Sequence, residues 1–249
     1  MSVETLYGYL GLPDASLLDK RIYKKMFHEH GQLSSADKKA LSADVEHVLW
    51  KYTLKASTVQ IRPYEDDERE YLEVAVIEVG LNSRKLATRI AEIIQRAIPY
   101  PVFLVLAEGK GIAISVAHKR FSLAEKGAIV ADGFLTTPWM DPPASETDES
   151  FFDSLDVRGL SHVDFLALYQ DLTVRVLARN CAELTGKFEL QTQSEDERRQ
   201  ALAECREMER EIASLRAGIR KETQFAEKVE LNTNIKALEA RLNHAVAAL

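Results

Sequence analysis

Apolar residues recur along this chain in two rhythms, and the rhythm changes twice. Ala40, Leu41, Val45, Val48 and Leu49 fall on one helical face behind Ser34, Ser35 and Asp37, which predicts a capped helix running to about Trp50. Tyr52, Leu54 and Ala56 then alternate, with Val59 and Ile61 resuming after a slip, as in a strand with an irregularity. After the acidic turn Glu65 to Glu70, the run Tyr71 to Leu81 has apolar residues at both parities, the pattern of a strand buried on both faces. Leu86, Ile90, Ile93, Ile94 and Ala97 restore the helical stripe, which Pro99 and Pro101 stop. Pro101 to Ala107 and Ile112 to Ala117 flank Gly109-Lys110-Gly111, a hairpin signal, and Ala128 to Leu135 supplies another strand. The expected front unit, residues 1–140, is α+β: a small mixed or antiparallel sheet with flanking helices.

Behind it the rhythm is helical. Val163 to Leu184 carries an apolar stripe that Gly186 ends. Ala201, Cys205, Met208, Ile212, Leu215 and Ile219 step alternately by four and three, as do Leu231, Ile235, Leu238, Leu242, Ala245 and Leu249. The phase breaks between them near Thr223 to Val229, which predicts a coiled-coil hairpin over about 195–249 inside a helical region, 160–249. Residues 141–159 hold six acids against Arg158 and carry Pro142 and Pro143, the composition of an acidic linker.

Composition adjusts this picture only slightly. Of 249 residues 46% are hydrophobic and 29% charged, an ordinary globular balance, and the net charge of -7 argues against indiscriminate coating of nucleic acid. Residues 1–62 nevertheless hold nine Lys/Arg against seven Asp/Glu. Two cysteines, Cys181 and Cys205, make no disulfide framework and suit a reducing cytoplasm. No apolar stretch reaches the ~20 residues of a membrane span.

Candidate chemistry is sparse. Glu73 and Glu78 are the acids to watch for a metal-dependent nuclease, which needs clustered carboxylates and often a Lys. They lie five apart, on opposite faces of an ideal strand, and no Lys follows Glu78 by two. His118, Lys119 and Arg120 are three adjacent donors at a strand end, able to hold a phosphate. Lys20, Arg21, Lys24 and Lys25 form a basic stripe if their segment is helical, able to meet a nucleic-acid backbone. His28 and His30 beside them are a weak metal signal. The nucleotide-loop, nucleophile-elbow and zincin motifs are absent, and neither cofactor nor metal is implied.

Several phrases resemble a bacterial family known as domain of unknown function 4391. They are Leu10-Gly11-Leu12-Pro13, Lys24-Lys25-Met26-Phe27, Leu72-Glu73-Val74, Ile98-Pro99-Tyr100-Pro101, Ala117-His118-Lys119-Arg120, Thr137-Pro138-Trp139, Gln224-Phe225 and Lys228-Val229-Glu230-Leu231-Asn232. The resemblance implies a setting beside helicases and DNA methyltransferases of restriction-like phage defence, and brings no catalytic residues with it. The expected function is a non-catalytic accessory subunit docking through its hairpin to such a helicase or methyltransferase, or to a second copy, with DNA as a further partner. An atypical nuclease and a toxin-neutralising or regulatory partner stand as alternatives.

Overall fold

The computed structural model describes residues 3–30, 33–125, 127–191 and 194–249. The chain divides into two compact units, Met1–Arg179 and Asn180–Leu249.

In the first unit, α1 (Val3–Leu10) leads into the short strand β1 (Leu17–Arg21) and α2 (Lys24–His30). The segment holding Lys20 and Arg21 is therefore a strand, not the helix that would align them with Lys24 and Lys25. Helix α3 (Ser35–Asp44) opens on a reciprocal cap: the Ser34 hydroxyl accepts from the Asp37 N–H, and the Asp37 carboxylate accepts from the Ser34 N–H. It ends at Asp44, short of the expected Trp50, because Val45 begins the long strand β2 (Val45–Lys55). β-Branched and aromatic residues here gain more from pairing across a sheet than from one more turn of helix. A turn of helix, α4 (Ala56–Val59), takes the place of the expected strand end.

The ribbon of β3 (Tyr64–Glu65) and β4 (Glu70–Tyr71) precedes β5 (Glu73–Leu81), α5 (Ala87–Ala97), β6 (Val102–Glu108), β7 (Gly111–Phe121) and β8 (Ile129–Thr136). One six-stranded sheet runs in the order β1-β2-β5-β6-β7-β8. Every neighbouring pair is antiparallel except β5 and β6, which α5 joins as a parallel crossover. That pair sits in mid-sheet, which explains why β5 and β6 read as nearly unbroken apolar runs. Gly109 and Lys110 form the two-residue turn between β6 and β7, with Gly109 at φ +59°. The main core lies between α3 and α5 and one sheet face: Leu41, Ile90, Ile93 and Ile94 pack on Ala75, Ile77 and Val79. Gln95 and Lys119, both buried, are its polar ties. The Gln95 amide donates to the carbonyls of Val102 and Ser115 at 3.1 and 3.0 Å, pinning α5 to the strands beneath it.

The acidic stretch after β8 is folded, not a linker. Ser145 and Asp148 cap α6 (Glu146–Asp153) reciprocally, and Phe151, Phe152 and Leu155 are fully buried. Asp148 also meets Arg179 in a buried ion pair at 2.7 Å. Most of α7 (Phe165–Thr185) belongs to the same unit, so the boundary falls within this helix rather than ahead of it. The Tyr169 hydroxyl reaches the sheet, donating to Val102 O at 2.8 Å and accepting from Ala117 N at 3.0 Å.

The second unit is built on α8 (Glu195–Lys221) and α9 (Phe225–Val246), folded back on each other. Ile212, Ile235 and Leu238 are buried between them, flanked by Met208, Leu215, Ile219 and Leu242. These are positions the four-three stepping marks, and the two arms fill the seam themselves. Acids occupy the first turn of α8 and Arg220 and Lys221 its last, as the helix dipole favours. Cys181 and Cys205 are free and buried, and burial pushes both thiols up. Among the described residues no helix is long and apolar enough to cross a membrane.

Candidate functional site

Strand β1 is the sheet's edge, and all five of its residues are exposed. Its pairing with β2 slips between Leu17 and Lys20, where Asp19 sits at φ +46°. Such a bulge bends an edge and re-aims its side chains. Asp19 turns to Lys51, 2.7 Å away, while Lys20 and Arg21 have no acidic partner among the described residues. Lys20 stands opposite Trp50 in register.

Trp50 floors a groove of about 430 Å³ between β1, α2 and the chain leaving α5. Met26 and Leu18 wall it, Tyr100 stands at one side, and Lys20 and Arg21 border it; among the described residues no acid lines it. The Trp50 and Tyr100 rings are 6.1 Å apart, inclined at 54°. Each is held in place: the Trp50 indole donates to Tyr52 O at 3.1 Å, and Tyr100 lies between Pro99 and Pro101. A second hollow of about 370 Å³ shares Leu18, Lys20 and Trp50 and continues to Lys55 and Glu73. An apolar trough with aromatic walls and a cationic rim takes flat, anionic ligands.

The other expected residues are dispersed. Lys25 is exposed, but the Lys24 ammonium donates to Val45 O at 2.6 Å and Ser42 O at 3.3 Å, closing the C-terminal end of α3. The donors His118, Lys119 and Arg120 do not form one array, because alternation along β7 separates them. His118 meets the Tyr71 hydroxyl at 2.9 Å, and Arg120 meets Asp132 at 3.4 Å. Lys119 is 1% exposed, a correction to its expected place on the surface. Its ammonium donates to the carbonyls of Gln95 and Ile98 at the end of α5, and burial pushes its pKa down to about 7. The side chains of His28 and His30 lie outside the described residues.

Glu73 and Glu78 do lie on opposite faces. Glu73 is 3.6 Å from Lys55, whereas Glu78 accepts from Tyr7 at 2.7 Å and contacts His47 Nε2 at 3.1 Å. Burial, reinforced by the Glu78 carboxylate, holds the Tyr7 phenol above its usual range. The His47 ring lies directly over Gly80, where a Cβ would collide with it. This Tyr-Glu-His chain orients an imidazole. Among the described residues, however, no three His, Cys, Asp or Glu gather as metal ligands.

A family model described as a domain of unknown function, DUF4391, matches residues 10–242. The chain belongs to the DUF4391 family. No curated protein and no solved structure matches it. Two of the DUF4391-like phrases, Lys24 to Phe27 and Ile98 to Pro101, converge on the groove, supplying Met26, Phe27 and the Ile98-Pro99-Tyr100 wall. Sequence reasoning singled out Lys20 and Arg21, met Tyr100 only within a family-like phrase, and missed Trp50, His47 and Tyr7. Trp50 was legible only as the end of a helix; a lone Trp next to alternating Tyr52 and Leu54 was the available signal that it belongs to a strand.

Proposed function

We propose that this DUF4391 protein is a non-catalytic interaction subunit of a DNA-handling assembly of the restriction-like, phage-defence kind. Its first unit holds nucleic acid at the β1 edge, and its helical hairpin docks on a helicase, a methyltransferase or a second copy. The observation that carries this reading is the groove at the edge, lined by no acid among the described residues, where Lys20 and Arg21 are exposed and without an acidic partner among those residues, in a chain of net charge -7. Unpaired cations bordering an apolar floor fit a phosphate-bearing ligand better than a solvated face. The hairpin contributes a surface rather than an open seam: Phe225 is 81% exposed at the turn while the seam residues face each other.

The alternative of an atypical nuclease has one observation in its favour, the Glu78-His47 contact. It is the weaker reading, because Glu73 lies on the opposite face and Lys119 is committed to α5. Binding of a fluorescein-labelled oligonucleotide, followed by anisotropy at low salt, tests the leading reading. The double variant Lys20→Glu/Arg21→Glu should bind at least ~10-fold more weakly, since it removes two phosphate contacts and adds two repulsive charges. Equal affinity in the wild type and this variant would sink it.

A further inference from the structure

We infer that the groove is a stacking slot for an unpaired base, so that the ligand at the β1 edge is single-stranded nucleic acid rather than duplex. The inference rests on the nucleic-acid reading above and names the form of its ligand. Four observations lead to it.

The floor and walls are apolar and aromatic, not merely cationic. Phosphate binding alone needs donors, and Lys20 and Arg21 supply them without Trp50, Tyr100, Met26 or Leu18. Tyr100 and Met26 are 41% and 46% exposed, so large apolar surfaces stand open to water beside the cations. A duplex hides the faces of its bases and presents phosphates and groove edges, leaving such a floor unfilled. A single strand presents those faces, and base-on-aromatic stacking is what they gain from.

The slot is stiff. Trp50 is tied by its indole N–H and packed against the main core, and Tyr100 is framed by two prolines. A pre-set aromatic wall binds a flat ring without first losing side-chain freedom.

The trough continues. The second hollow shares Leu18, Lys20 and Trp50 with the first, and its charged lining is Lys20, Lys55 and Glu73. A mononucleotide would fill only one of the two spaces. A strand with one base in the slot runs onward past Lys20 into the other, its phosphates beside Lys20 and Arg21.

Finally, the charge fits. Among the described residues, the combined lining of the two hollows holds Lys20, Arg21 and Lys55 against Glu73. An acidic peptide would satisfy the charge, but its side chains offer the aromatic walls no flat ring at every step.

The test uses the full chain and four probes: labelled 12-mers of thymidine and of uridine, a 12-base-pair DNA duplex, and a 12-residue peptide alternating Glu and Tyr. At one salt concentration the single strands should bind at least ~5-fold tighter than the duplex. Tyr100→Ala should weaken single-strand binding by roughly 5- to 100-fold while leaving the duplex affinity within about twofold. Tyr100→Phe should restore it, since the ring and not the hydroxyl does the stacking. Leu18→Glu, at a residue 38% exposed, gives a second route to the same loss with little risk to folding. Equal binding of strand and duplex with Tyr100→Ala silent overturns the slot and leaves the broader proposal standing. A peptide bound more tightly than either oligonucleotide overturns the slot in favour of a protein ligand. No binding of any nucleic acid removes both.

Discussion

Lys119 is the residue whose position asks most of its surroundings. The Lys119 ammonium is sealed beneath the sheet and meets no carboxylate among the described residues, so burial pushes its pKa from 10.5 down to about 7. The carbonyls of Gln95 and Ile98 at the end of α5 accept its protons, which is where a helix presents its partial negative charge. The sign of the pH effect follows. Between about pH 7 and 10.5 the unfolded chain carries a proton the folded chain has lost. Stability from this group is thus fully present above 10.5 and declines as pH falls toward 7. Urea midpoints for the wild type and Lys119→Met should diverge across that window, only the wild type gaining stability as pH rises. Parallel pH profiles would show that the ammonium is not desolvated. Asp37 works in the opposite corner of the pH scale. The Arg89 guanidinium, 2.8 Å away, and the Ser34 hydroxyl hold its carboxyl well below the usual range, so its contribution is present above pH 3.8 and is lost as acid protonates it.

At the scale of elements, legibility depended on whether one rhythm ran unbroken. The hairpin was readable almost residue by residue because Met208, Ile212, Leu215 and Ile219 and their partners keep the four-three step without interruption, and helix pairing needs little else. Leu238→Asp should therefore destabilise the second unit by at least about 3 kcal/mol, putting a charge where a buried side chain packed. An unchanged melting curve would remove Leu238 from the seam. The sheet was harder. The register of β2 against β5 shifts between Val45 and His47 and again between Trp50 and Tyr52, so its alternation changes phase twice. Leu41, Val45, Val48 and Leu49 then imitate a helical stripe across what is really a helix followed by a strand. Reading Trp50 as the end of a helix concealed the groove, although Lys20 and Arg21 were each visible as single residues and Tyr100 lay within a family-like phrase. Lys119 was misjudged for a related reason: three adjacent donors look like one cluster in sequence, whereas a strand sends neighbours to opposite faces. The acidic stretch at 141–159 misled by composition, since Asp148 serves both in a helix cap and in a buried ion pair instead of meeting solvent.

For the molecule as a whole, net charge and local charge oppose each other. A chain at -7 repels a polyanion except where its cations cluster, so the contact with nucleic acid proposed above would be confined to a small footprint. With Lys20, Arg21 and Lys55 as the cations of the two hollows, the logarithm of the binding constant should fall against the logarithm of salt concentration with a slope of roughly -2. A slope steeper than about -5 would mean that the ligand spreads over far more of the surface than the β1 edge.

The bulge at Asp19 has a further consequence. An outermost strand with bare N–H and C=O groups invites a second molecule to zip alongside and polymerise, and proteins discourage this with kinks and with lysines. Here the kink and two of the cations assigned above to the proposed ligand occupy the same five residues. The features that discourage strand pairing at this edge are thereby the same ones that the proposed ligand would meet, so a substitution made to alter one trait should disturb the other.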